Sequence, residues 1–276
     1  MNLTNPQSSA IFFGFDSAWT DSPKSPGAIC AIAFSPQGRV SFDEPRLVSF
    51  DQAVEYIAAA SIGFAFSLVA VDQPTVVPNR TGSRPVDKVA ASLVSFVGGG
   101  VQPANRGKRG MFCDAAPIWR FLSSLGYSQR PLEARTANSG RHLIEVFPAL
   151  SLPALNAGFA LRLAAPKYNP QNRRKFRQDH WRSVARTVAT TAGNLGVPDL
   201  RDWADDMALL PTPRKADQDL LDAALCALIG LIWRAGPPDA STCLGDLDSG
   251  YMVTAVSGST RDRLRSAALK SSVPFV

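Results

Sequence analysis

Ile11-Phe12-Phe13-Gly14-Phe15-Asp16 and Leu68-Val69-Ala70-Val71-Asp72-Gln73-Pro74 are the stretches on which the reading of this chain turns. Each is an unbroken apolar run that stops at an aspartate. Such a run, with no polar alternation, reads as a strand buried on both faces, as in the middle of an α/β sheet. An acid at the end of a core element is costly unless it is paired or binds a metal. Two further segments repeat the pattern. Glu145 interrupts His142-Leu143-Ile144-Glu145-Val146-Phe147-Pro148, and Asp219 and Asp222 open the most apolar helix-like segment, from Leu220 to Trp233.

Working outward, residues 28–35 are apolar throughout, and 39–42 follow the turn Pro36-Gln37-Gly38, so a hairpin is expected. Residues 50–60 begin near Asp51, a candidate N-cap, and carry Ala53, Val54, Ile57 and Ala58 on one face, which predicts a helix. Helices are also expected over 85–96, 114–125, 172–195, 215–235 and 261–269, and strands over 142–147 and 251–256. The stretch 98–110, rich in Gly and basic residues, reads as a loop. The Pro-rich stretches 74–85 and 211–213 read as loops within one unit, and no internal repeat is present. The expected fold class is α/β, as a single domain over 1–276.

A chain of 276 residues that is 45% hydrophobic and 19% charged has enough apolar mass for a sizeable core, which excludes a disordered chain. The balance of 29 Lys and Arg against 23 Asp and Glu permits a polyanionic partner without requiring one. No apolar stretch is long enough to span a bilayer, and no membrane association is expected. Residues 1–10 are polar and lack the basic and apolar parts of a signal peptide. Cys30, Cys113, Cys226 and Cys243 are scattered with no CxxC pair, so a reducing cytoplasm is the natural setting. His142 and His180 are the only histidines, which excludes a His-rich metal centre.

The acids suit another chemistry. Phosphoryl transfer by two hard cations needs several carboxylates close together on rigid elements, and oxygen ligands suit Mg²⁺ or Mn²⁺. Asp16 and Asp72 fit strand ends, and Asp219 and Asp222, three apart, share a helix face. Each has a plainer alternative. Asp16 and Asp72 also suit turns, Asp217 reads as a helix cap, and Asp219 lies where a helix dipole favours acids. Asp222, flanked by apolar residues one turn in, is the hardest to explain by packing. Glu145 has Arg141 as a candidate partner, and Arg84 and Asp87, one helical turn apart, are a candidate pair. Arg173, Arg174, Lys175, Arg177, Arg182 and Arg186 crowd one predicted helix. That stripe suits a phosphate backbone or simply a solvated face. Arg106, Lys108 and Arg109 form a basic loop able to meet phosphates, whereas Gly98-Gly99-Gly100 matches no phosphate-loop spacing.

Five blocks in order, Gly14-Phe15-Asp16-Ser17-Ala18, Val71-Asp72-Gln73-Pro74, Arg84-Pro85-Val86-Asp87, Ile144-Glu145-Val146-Phe147-Pro148 and Asp219-Leu220-Leu221-Asp222-Ala223, resemble the predicted ribonuclease H-like nuclease domain family over roughly 11–256. The last block also resembles the metal-binding helix of Holliday-junction resolvases. The resemblance implies a ribonuclease H-like mixed β-sheet flanked by helices. Its core would be about 11–75, 142–148 and 215–256, with helical and loop insertions at about 76–141 and 149–214. It implies Mg²⁺ or Mn²⁺ bound by Asp16, Asp72, Asp219 and Asp222 for phosphodiester hydrolysis. Glu145 would be a secondary ligand or orient water, and Lys167 and the arginines that follow would hold nucleic acid. Where resolvases use Glu on the fourth strand this chain has Asp72, whose shorter arm needs a closer ion. The competing expectation is a non-catalytic nucleic-acid- or nucleotide-binding protein on the same fold.

Overall fold

The computed structural model describes residues 9–276, so most of the polar stretch 1–10 lies outside the described residues. The chain opens with three strands, β1 (Ala10–Asp16), β2 (Gly27–Phe34) and β3 (Val40–Val48). The helix α1 (Phe50–Ala60) and strand β4 (Phe66–Val71) follow. Next come helices α2 (Pro85–Val94), α3 (Pro117–Leu125) and α4 (Pro131–Thr136), then β5 (Gly140–Glu145). A helical stretch contains α5 (Pro148–Leu155), α6 (Gln178–Asn194), α7 (Pro198–Leu209) and α8 (Lys215–Ala235). The hairpin β6 (Ser241–Asp246) and β7 (Gly250–Ala255) precedes the last helix, α9 (Gly258–Lys270).

Strands one to five form a mixed sheet in the order β3-β2-β1-β4-β5. The first three are antiparallel, while β4 runs parallel to β1 and β5 parallel to β4. The α/β class is thus as expected. The expected hairpin forms, but β3 runs on to Val48, well beyond residue 42. Residues paired in register share a face, and alternate residues along a strand take opposite faces. Phe12, Leu68, Ala70 and Ile144 therefore pack on one side with α8, α6 and α7. Phe13, Phe15, Val69, Val71 and Leu143 pack on the other with α1 and α3.

The helix α1 begins at a capping box, with Ser49 accepting from the Gln52 N–H at 3.2 Å and Gln52 Oε1 accepting from the Ser49 N–H at 2.9 Å. The cap is therefore Ser49, not Asp51. The helix α8 has the predicted bounds and is apolar nearly all round, as a helix enclosed by sheet and neighbouring helices must be. It lies against β1 at Gly14. A β-carbon there would fall inside the backbone of Ala223 and Ala227.

Three expectations need correction. The basic helix starts at Gln178, not 172, so Arg173, Arg174 and Lys175 lie in the turns before it. The helix α7 occupies 198–209, where none was assigned. The terminal strand is half of a hairpin that forms its own two-stranded sheet and meets the end of β5 through the Val146–Val253 bridge. No helix among the described residues is long and apolar enough to cross a membrane. All four cysteines are free.

Candidate metal centre

Asp16 stands two residues after Gly14 and so takes the α8 face of β1. The contact at Gly14 brings Ala223 and Ala227 onto that strand, which sets Asp222 beside the strand end. Asp72 follows β4, and its N–H bonds the Phe15 carbonyl at 2.9 Å, which places it next to Asp16. Asp16 and Asp222 are buried and Asp72 is half-buried.

The electrostatics place these acids in one neighbourhood. Burial pushes the Asp16 carboxyl well above its ordinary value, and the charges of Asp222, Asp72 and Asp219 push it further. Burial also raises Asp72, followed by the charges of Asp222 and Glu145. Burial carries Asp222 up to about 6, against the opposing pull of Lys215, Tyr168 and Gln218. These are the responses of like charges crowded in a poorly hydrated place.

Their hydrogen bonding differs. Tyr168 Oη donates to Asp222 Oδ1 at 2.7 Å and Gln218 Nε2 donates to Asp222 Oδ2 at 3.0 Å, so both oxygens of that carboxylate are held. Asp219 is paired with Lys215. Burial draws the Lys215 ammonium down, but the charges of Asp219, Asp16 and Asp222 outweigh that and hold it above its usual value. The Asp16 and Asp72 carboxylates form no hydrogen bond or ion pair among the described residues. Buried Gln218 Oε1 is also without a partner among them. Beneath the cluster, burial first and then Asp72, Asp16 and Asp222 push the Cys226 thiol well up, so it stays protonated.

Tested against a metal, the donor set fits a hard cation: all-oxygen, acidic, with two unpartnered carboxylates and an open amide oxygen. As the side chains stand, no three His, Cys, Asp or Glu among the described residues form a ready ion cage. The described arrangement therefore has the chemistry of a cation site without the closed geometry of a two-ion one.

Glu145 has a different environment. It pairs in register with Val71, so it takes that residue's side of the sheet, not that of Asp72. Its partner is Arg84, at 2.6 and 2.9 Å, and not Arg141, which bonds the Ser61 carbonyl. Arg84 also meets Asp87 at 2.8 Å, as the Arg-Asp spacing suggested. Asp217 caps α8 by accepting from the Arg214 N–H at 2.7 Å, as expected.

Several of the expected nucleic-acid contacts already have partners inside the protein. Lys167 Nζ donates to the Gly98 carbonyl at 2.7 Å. Arg106 bonds the Val77 carbonyl at 2.8 Å and lies over the Trp119 ring, and Lys108 reaches Gln102. Arg177 pairs with Asp179. Arg109, Arg173 and Arg174 are exposed and without side-chain partners among the described residues. Tyr168 and Lys215 were missed as site residues. Lys215, four residues before Asp219, carried a readable signal; Tyr168, 54 residues from Asp222, carried none.

The chain belongs to the family described as a protein of unknown function, DUF429, which it matches over residues 14–246. No curated protein and no solved structure matches it.

Proposed function

We propose that the protein is a metal-dependent nuclease that hydrolyses phosphodiester bonds of nucleic acid on a ribonuclease H-like sheet. The observation that carries this reading is the pair of unpartnered carboxylates, Asp16 and Asp72, ending adjacent parallel strands beside Asp222 on the crossing helix. These are the first-strand, fourth-strand and helix positions that the sequence resemblance implies. Asp16 and Asp72 would hold Mg²⁺ or Mn²⁺, with Asp222 completing the set. The ion, when bound, supplies a Lewis acid for the phosphoryl oxygens and lowers the pKa of water. Tyr168 and Gln218 fix the Asp222 carboxylate, and Gln218 Oε1 offers an acceptor to a water. Lys215 brings a positive charge to the edge of the cluster where a phosphate would sit.

The test is incubation of purified protein with Mn²⁺ and a panel of single-stranded, duplex, hybrid and branched nucleic acids. Metal-dependent cleavage is expected, with loss of about 100-fold or more in Asp72→Asn and Asp222→Asn. No cleavage across the panel by folded protein would sink the reading.

One observation favours a second reading, a binding protein without catalysis. Lys215 already places a cation in the field of Asp16, Asp219 and Asp222. In that case nucleic acid binds, Mn²⁺ changes nothing, and Lys215→Met destabilises the fold.

A further inference from the structure

A groove of about 840 Å³ opens beside the acid cluster and is lined by Arg173, Phe176, Pro211, Pro213, Arg214 and Lys215 among others. Lys215 belongs to both places: it lines the groove, and its ammonium pairs with Asp219 in the field of Asp16 and Asp222. Arg173 has no side-chain partner among the described residues. Arg214 makes only a 3.5 Å contact with Asp217 and is otherwise open to solvent. The groove therefore holds two cations free to take an anion and a third that leads to the acids. It also lies at the start of α8, whose dipole favours negative charge there. Its walls combine the Phe176 ring with two prolines. Free cations beside an aromatic face are what an unpaired nucleotide needs, because its base has a π-face to stack and its phosphate a charge to match. A duplex stacks its bases on one another and leaves none for Phe176.

A second groove of about 650 Å³ provides the contrast. It is lined by Arg182 and Arg186, but also by Asp179, and it has no aromatic wall.

We propose that the groove between Arg173, Phe176 and Arg214 is a subsite for a single-stranded nucleotide flanking the phosphate presented to the acids. This takes its substrate from the nuclease reading, but its test does not depend on cleavage.

The experiment is fluorescence anisotropy of fluorescein-labelled oligothymidylate, oligouridylate and a duplex of equal length, in EDTA, across a salt series. Wild type is expected to bind the single strands more tightly than the duplex. Arg173→Ala/Arg214→Ala should weaken single-strand binding about tenfold or more and lower the salt slope by about two, one per lost phosphate contact. Phe176→Leu should weaken binding without changing the slope. Arg182→Ala/Arg186→Ala removes the same charge from the other groove and should bind as wild type does. The inference is overturned if wild type does not bind, if the duplex binds as tightly, if the Arg173/Arg214 variant keeps its affinity, or if the control loses as much. Wild-type cleavage with Mn²⁺ and intact binding by Arg173→Ala/Arg214→Ala would sink this inference and spare the nuclease reading. Loss of binding in that variant, with no wild-type cleavage, would do the reverse.

Discussion

Two groups of buried acids lie near the same end of the sheet, and their surroundings are opposite. Glu145 and Asp87 share one guanidinium. Arg84, fully buried, reaches Glu145 at 2.6 and 2.9 Å and Asp87 at 2.8 and 3.0 Å, and it also donates to the Val76 carbonyl. The leftover oxygen capacity accepts from the Thr75 and Ala104 N–H groups. Nothing in that network is open to a ligand. Asp16 and Asp72 have no such partner, and beside them Asp222 is oriented by neutral donors. The first group ties loops to the sheet. The second holds unbalanced charge, which a fold retains at a cost to its own stability. The difference separates a structural ion network from a candidate site more sharply than burial does, since both groups are buried.

The largest expected effect comes from breaking the satisfied group. Arg84→Ala leaves two buried carboxylates unpaired and should cost about 3–5 kcal/mol in urea unfolding. A loss no greater than that of an ordinary surface change would mean the network is not the clamp described. Next is the response to metal. At an Mn²⁺ concentration of about 100 times Kd, the folded state should gain about 2.7 kcal/mol, read as a rise in Tm, and Asp16→Asn and Asp72→Asn should abolish the gain. Equal gains in all three proteins would refute a shared site.

The third effect is pH-dependent and smaller. The folded acids have raised pKa values, so between the unfolded carboxylate value of about 4 and the folded values the native state binds more protons than the unfolded chain. That contribution to stability is therefore lost as pH rises through about 6, the Asp222 value, and beyond for Asp16 and Asp72. Metal-free Asp16→Asn should be more stable than wild type by about 1–2 kcal/mol at neutral pH, and the gap should close towards about pH 4. A gap that widens on acidification has the wrong sign. The smallest effect is Tyr168→Phe, at about 1 kcal/mol for one lost hydrogen bond. It should also move the Asp222 titration upward, because the bond favours the charged form. An unchanged carboxyl titration by NMR would remove Tyr168 from the site.

The central strands and α8 were legible because burial on all sides leaves unbroken apolar runs, and the acids stood out against them. Gly196-Val197-Pro198 marks a helix start only once a helix is known to follow, and α7 itself mixes acids with apolar residues, so the segment escaped notice. The β6 strand, Ser241-Thr242-Cys243-Leu244-Gly245-Asp246, is short and neither alternating nor strongly apolar. The choice of Arg84 over Arg141 for Glu145 was invisible because it spans 61 residues and depends on how α2 packs. Spacing shows neighbours along a helix; it does not show which distant side chain the fold delivers.

The contact at Gly14 has a consequence for how the site is gauged. A hydrogen atom is the spacer between β1 and α8, so the span from Asp16 to Asp222 is the thinnest that two backbones allow. A single methyl group at position 14 would act like a shim under one jaw of a vice. It would push the helix, with Asp222, Asp219 and Lys215 together, away from the strand ends without altering any group that does chemistry. The working dimension of the site is thus set at a residue with no side chain, two positions upstream of the first acid.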